Sequence, residues 1–158
     1  MSLIKQHLHN QMIDNMTEVC EKYGLDLVKE QVEYRTVMLC DALYNNIKEQ
    51  QIEWHKKSII STSDTDHLYH LRKIKEINDI GVDKEFYITA GRKYLKIVYD
   101  DGNQRSVHAF VDKKTGDVYK PASWNAPAKG VRFNLLDDSQ QEWLMENADW
   151  AGGYLYAR

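Results

Sequence analysis

The first candidate for chemistry is a cluster of acids and histidines near the middle of the chain. Asp64, Asp66, His67 and His70 crowd the start of a predicted helix, and two histidines three positions apart could hold a metal ion. The helix dipole also favours aspartate in any first turn, and no HExxH or CxxC motif is present. We therefore predict no metal site and no cofactor.

His108 is the second candidate, because it lies in a predicted strand. Alternation places it opposite the face formed by Val107, Ala109 and Val111, where a histidine is solvent-facing or hydrogen-bonded. A general base needs a reacting group within hydrogen-bond reach, and no nucleophile lies at a recognisable spacing. A non-enzymatic protein without catalytic residues is therefore favoured, and a small enzyme that uses His108 with nearby carboxylates stays an alternative.

The middle of the chain is basic and aromatic, while both flanks are acidic. Residues 84–134 hold ten Lys and Arg against five Asp and Glu, together with eight aromatic residues. Residues 1–83 and 135–158 each have a net charge of −4. Exposed rings and cations can stack bases and neutralise phosphates. The alternative is that the rings form the core and the acidic helices neutralise the cations.

A loop that contains both prolines of the chain is the strongest candidate binding segment. Pro121 and Pro127 restrict residues 121–134, so the Trp, Lys and Arg side chains that this loop carries are held in place. Held Trp and Arg side chains dominate interface energetics, although a tryptophan here could also simply plug the open end of the sheet. The predicted binding residues are Arg92, Lys93, Trp124, Lys129, Arg132 and Asn134.

Helical periodicity covers the first half of the chain and a short segment near its end. Helices are predicted over 3–23, from Leu25 or Asp26 to Trp54, from Ser63 or Asp64 to just before Gly81, and from Ser139 to about Ala148. Residues 58–63 interrupt the pattern and predict a loop or short edge strand. Ser139 and Glu142 have the spacing of a capping box.

From Glu85 the apolar period changes to two, which predicts strands over 85–90, 94–100, 105–112 and 117–120. Asp101-Gly102 and Lys113-Lys114-Thr115-Gly116 are typical of tight turns. The fold class is α+β: a helical N-terminal half on a three- or four-stranded antiparallel meander. One domain of 1–158 is expected, mainly helical over 1–83, with sheet and ordered loop over 84–135 and a C-terminal helix and docked tail over 136–158.

The composition is that of a globular protein. The chain has 158 residues, 42% of them hydrophobic, and no apolar run long enough for a membrane span or a signal peptide. Its two cysteines, Cys20 and Cys40, are predicted to be free buried thiols in a reducing compartment.

The sequence from Gly91 to Leu136 resembles a group of small uncharacterised proteins encoded by tailed bacteriophages, notably those of marine and cyanobacterial hosts. The shared pattern covers Gly91 to Val98, Ser106 to Lys120, Ala122 to Trp124, Ala126 to Arg132, and Asn134 to Leu136. The resemblance implies a phage gene and a location in the host bacterial cytoplasm or the virion. It implies no activity.

These observations favour a phage accessory protein that binds a host or virion protein through the sheet face and the 121–134 loop. The alternative is a nucleic-acid-binding module that uses the same cations and rings. We expect no membrane association. The apolar stripes of the amphipathic helices could also pair with those of a second copy to form a homo-oligomer.

Overall fold

The computed structural model describes residues 3–61 and 64–156, and it has a helical first half followed by an antiparallel sheet. The helices are α1 (Leu3–Tyr23), α2 (Leu27–Ser61), α3 (Asp64–Asp79) and α4 (Asp138–Asn147). The strands are β1 (Glu85–Ala90), β2 (Tyr94–Asp100), β3 (Arg105–Asp112), β4 (Asp117–Tyr119) and β5 (Phe133–Asn134), and a 3₁₀ helix spans Gly153–Leu155. The predicted α+β class is confirmed.

The five strands form one meander in the order β1-β2-β3-β4-β5, with every neighbouring pair antiparallel. Gly102 and Gly116 have φ angles of 95° and 77°, which only glycine adopts readily, so these turns form where the sequence predicts them. The two-residue strand β5 was not predicted. It pairs with β4 and adds a fifth strand to the expected three or four.

Helix α2 is longer than predicted, and it organises the core. It continues past Trp54 to Ser61, so the loop or edge strand predicted over residues 58–63 is wrong for 58–61, while 62 and 63 lie outside the described residues. Helix α3 packs along this half of α2, and such packing outweighs the small helix penalty of β-branched residues. The predicted caps of α3 at Ser63 and Asp64 fall outside the described side chains.

One face of the sheet packs on the first half of α2. Val32, Leu39 and Leu43 of the helix are fully buried against the sheet. Their partners on the sheet are Phe86, Leu95, Ile97, Ala109, Val111 and Val118. Helix α4 adds Leu144 to the same cluster, and the chain end adds Tyr154 and Leu155. All the described helices therefore lie on the core side of the sheet.

Helix α1 packs on α2, and Cys20 is its only buried residue among those whose side chains the structure describes. Cys20 and Cys40 are both free thiols, as predicted. Helix α4 begins one residue earlier than predicted, because the Asp137 carboxylate accepts hydrogen bonds from the backbone N–H groups of Ser139 and Gln140. The predicted capping box is therefore wrong. Among the described residues, no helix is long and apolar enough to cross a membrane.

Candidate functional site

The sheet has a second face that no described helix covers. In β2, Tyr94 and Lys96 alternate with the core residues Leu95 and Ile97, so their side chains point away from α2. The strand pairings place Phe110 opposite Lys96 and Tyr119 opposite Phe110. We call the surface formed by Tyr94, Lys96, Phe110 and Tyr119 the outer face.

The rings of the outer face form a small cluster of their own. The Tyr94 ring lies edge-on to Phe110 and to Tyr119, with centroid separations of 5.8 Å and 6.0 Å. Phe110 is only 2% exposed although it points away from the main core. The outer face is therefore a packed aromatic surface, and its ring positions are fixed.

The segment after β4 folds into a closed loop beside this surface. Pro121 pairs with Pro127 in an isolated antiparallel bridge, and the Ala128 N–H donates to the Lys120 carbonyl at 2.8 Å. The Arg132 N–H donates to the Val118 carbonyl at 2.7 Å. We call residues 121–132 the outer loop; backbone hydrogen bonds as well as prolines fix its shape.

Trp124 occupies the tip of the outer loop and meets a lysine of the sheet. The Lys96 Nζ lies 4.6 Å from the centroid of the Trp124 ring and 5.9 Å from that of Phe110. The Lys93 Nζ lies 5.3 Å from the Tyr94 ring centroid. Such pairs contribute roughly 0.5–1 kcal/mol at exposed sites. Because Trp124 remains 47% exposed, the rest of its ring is open to a ligand.

Within the described residues, Lys93 and Lys96 form no ion pair with a helix carboxylate. Arg105 pairs with Asp100 within the β2–β3 hairpin. The other ion pairs lie within the helices or between α2 and α4 or α1 and α4. Lys93 and Lys96 therefore keep their charge available beside the aromatic rings. The alternative that helix carboxylates balance the charge of the sheet stays a prediction.

The structure separates the six predicted binding residues. Trp124 lies on the outer face, and Arg92 and Lys93 are exposed in the β1–β2 turn at one end of it. Lys129 is exposed in the outer loop, while Arg132 is half-buried next to β5. These assignments as binding residues stay predictions.

Asn134 is the predicted binding residue with the clearest role inside the fold. Its side-chain amide donates to the Thr115 carbonyl at 2.9 Å and to an Asp117 carboxylate oxygen at 2.8 Å. Its side-chain oxygen accepts the Leu136 N–H at 2.8 Å. The amide therefore holds β5 against the β3–β4 turn.

Lys96 and Tyr94 belong to the candidate site, although neither is among the binding residues predicted from sequence. The signal was present, because alternation with Leu95 and Ile97 places both residues on the face away from the helices. The contact between Lys96 and Trp124 could not be read in the same way. It depends on how the outer loop folds back over the sheet.

His108 is buried in the core, where it faces Phe86 and Tyr154. A β-bulge shifts the register of β2 and β3 between Ile97 and Val98, so His108 turns inwards beside Ala109 and the predicted alternation is wrong here. Its Nε2 lies 2.7 Å from the Tyr154 hydroxyl, and burial lowers the pKa of His108 to about 4 although nearby Asp149 opposes this. A 7% exposed neutral imidazole packed on Phe86 fits a structural role.

His70, one of the two histidines near the start of α3, pairs with a histidine of α2. The Nδ1 atom of His70 lies 2.8 Å from the Nδ1 atom of His55, so one ring donates and the other accepts. Burial, followed by the neighbouring His70 and Lys73, lowers the pKa of His55. Within the described part of the chain, no three metal-ligating side chains come together.

Among known proteins, the chain is similar to the members of one family. No curated protein and no solved structure matches the chain. A family model does match residues 10–157, and its description is a family of unknown function, DUF7717.

Proposed function

The chain belongs to the DUF7717 family, whose function is unknown, and we propose that it binds single-stranded nucleic acid on the outer face of its sheet. The observation that carries this proposal is the pairing of Lys96 with the exposed Trp124 ring on a surface without helices. An exposed ring stacks on a base, and a lysine beside it neutralises the adjacent phosphate.

The arrangement fits a single strand better than a duplex. Single-stranded binders combine a cationic surface that follows the backbone with rings that accept successive bases. The outer face has rings at Tyr94, Tyr119 and Trp124, with Lys93 at one end and Arg105 toward the other. None of the helices inserts from this side, so readout of a major groove has no structural basis here.

A protein partner is the second candidate, and a different surface favours it. Large apolar side chains are exposed on α1 and on the α2–α3 pair, including Leu8, Trp54 and Leu68. Exposed apolar side chains mark an interaction site where they form a contiguous patch. The outer face is less suited to this role, because unpaired lysines are depleted in the centres of protein interfaces.

The biological setting belongs to the proposal as well. The resemblance of residues 91–136 to tailed-phage proteins supports a phage gene whose product acts in the host cytoplasm or the virion. A non-enzymatic accessory role agrees with the buried position of His108. Detection of the protein in infected cells or in purified virions by mass spectrometry tests this setting.

The binding test compares two tryptophans in the same assay. We expect a fluorescein-labelled oligo(dT) to bind at low salt with an affinity that falls steeply as salt is added. Trp124→Ala removes one stacking ring, and we expect it to weaken binding by about 1–3 kcal/mol, measured by fluorescence anisotropy.

Trp54→Ala is the matched control, because Trp54 is also exposed but lies on α2 on the other side of the sheet. Its affinity is expected to equal that of the wild-type chain, and circular dichroism checks that both variants are folded. Absence of oligo(dT) binding at low salt, or equal affinities for the two variants, would falsify the proposal.

A further inference from the structure

A basic cleft lies at one end of the sheet, where three segments of the chain meet. The start of α2, the β1–β2 turn and the β3–β4 turn line an open cleft with a volume of about 800 Å³. The Lys113 N–H donates to the Lys93 carbonyl at 3.1 Å, which holds the two turns together. The cations that line the cleft are Lys29, Arg92, Lys93, Lys113 and Lys114.

Two carboxylates also line the cleft, and both are engaged by the backbone. An Asp112 oxygen accepts the Lys114 and Thr115 N–H groups at 2.8 Å and 3.1 Å. An Asp26 oxygen accepts the Lys29 N–H at 3.2 Å, at the start of α2. Within the described residues, none of the five cations forms an ion pair with a carboxylate. The cleft therefore presents five cations without an ion pair against two carboxylates, one in the β3–β4 turn and one at the start of α2.

The cleft is continuous with the outer face. Tyr94, the first residue of β2, pairs with Asp112, the last residue of β3, and Asp112 is followed directly by the two lysines of the cleft. The Lys93 side chain lies over the Tyr94 ring, and Lys93 also lines the cleft. A strand that stacks along the outer face thus reaches the cleft at one of its ends.

We propose that this cleft binds a terminal phosphate monoester of the strand that lies on the outer face. That the ligand is a single-stranded nucleic acid rests on the proposed function, whereas the phosphate site is inferred from the residues of the cleft alone. A monoester has up to two negative charges and three free oxygens, whereas a backbone diester has one charge. Several converging cations therefore favour the monoester, and lysine is a common phosphate binder. The volume lies in the range of small-ligand pockets.

The test compares oligo(dT) of one length with a 5′-phosphate, a 3′-phosphate or no phosphate. We expect one of the two phosphorylated forms to bind about tenfold more tightly than the unphosphorylated form, by fluorescence anisotropy. The double variant Lys113→Gln/Lys114→Gln is expected to lose this preference and to keep its affinity for the unphosphorylated strand. Lys56→Gln/Lys57→Gln changes an equally adjacent pair on α2 and is expected to keep the preference.

The outcomes separate this inference from the proposed function. Equal affinity of the wild-type chain for all three oligonucleotides overturns the terminal-phosphate site while the outer face remains a binding surface. If no oligonucleotide binds, the proposed function fails. The phosphate site is then tested separately, by titration of the protein with pyrophosphate while the backbone amide NMR signals of Lys114 and Thr115 are recorded. Shifts of those signals that are absent from the double variant support a phosphate site, and unchanged signals overturn it.

Discussion

At the residue scale, the candidate site depends on a side chain whose role only the folded chain reveals. Lys96 is one of ten cations between residues 84 and 134, and its type does not distinguish it from the others. Its side chain reaches Trp124, which is distant in sequence, because the outer loop folds back over β2. Trp124 could be selected from sequence as a held ring, whereas its lysine partner could not.

For His108, by contrast, the alternation of side chains along the strand predicts the wrong face of the sheet. A histidine in a strand with regular register points to one predictable face, but one extra residue in β3 turns it into the core. Sequence carries no clear signal for such a bulge, since it depends on the pairing partner. The consequence is a buried neutral imidazole bonded to Tyr154.

Burial of His108 makes the stability of the protein depend on pH. Its pKa falls from 6.5 to about 4 on folding, so between these values the unfolded chain binds a proton that the folded chain does not. The free energy of unfolding therefore decreases as the pH falls through this range, by about 1.4 kcal/mol per pH unit from this residue. Urea unfolding at pH 7 and pH 5 measures the loss.

His108→Gln removes the titrating group and is expected to flatten this profile, although it lowers stability at pH 7 by disturbing the contact with Tyr154. His55, whose pKa is also lowered, retains part of the slope. His7→Gln changes an exposed histidine of α1 and serves as the control. An unchanged pH slope in His108→Gln contradicts the account.

At the element scale, long periodic segments could be predicted and their ends could not. The first three strands have the predicted bounds, because alternation and glycine turns specify them locally. Helix α2 extends beyond its predicted end because α3 packs against it, and β5 forms because Asn134 is bonded to the β3–β4 turn. Both features depend on contacts between residues distant in sequence.

The junction between α2 and the C-terminal segment depends on one buried arginine. The Arg35 guanidinium donates to the Leu135 carbonyl at 2.8 Å and contacts the exposed Asp138 carboxylate at 2.8 Å. Arg35→Met leaves the Leu135 carbonyl without its donor, and we expect a loss of about 1–3 kcal/mol in the free energy of unfolding. Chemical denaturation measures this loss.

Asp138→Asn is the matched variant, because it removes only the charge of the exposed partner. We expect it to cost less than about 1 kcal/mol, as is usual for exposed ion pairs. Similar losses in the two variants would mean that the ion pair, and not the bond to Leu135, stabilises the junction.

At the scale of the whole molecule, the buried core and the basic aromatic surface lie on opposite faces of one sheet. The helices lie on the core side, whereas Lys96 lies at the outer face and the cations of the cleft lie at one end of the sheet. The distribution of charge along the chain can be counted in the sequence, and its periodicity predicts the α+β class. The sequence could not predict which cations remain unpaired, since that depends on the distances between elements after folding.

The most direct test of the account is to map the surface that contacts a single strand. Titration of the isotope-labelled protein with oligo(dT) at low salt, followed by backbone amide NMR signals, reports this surface. We expect shifts in β2, in β3 and at Trp124 and its neighbours in the outer loop, with α1 and α3 unchanged. Shifts confined to the helices, or no shifts at saturating oligonucleotide, would contradict a nucleic-acid surface on the outer face.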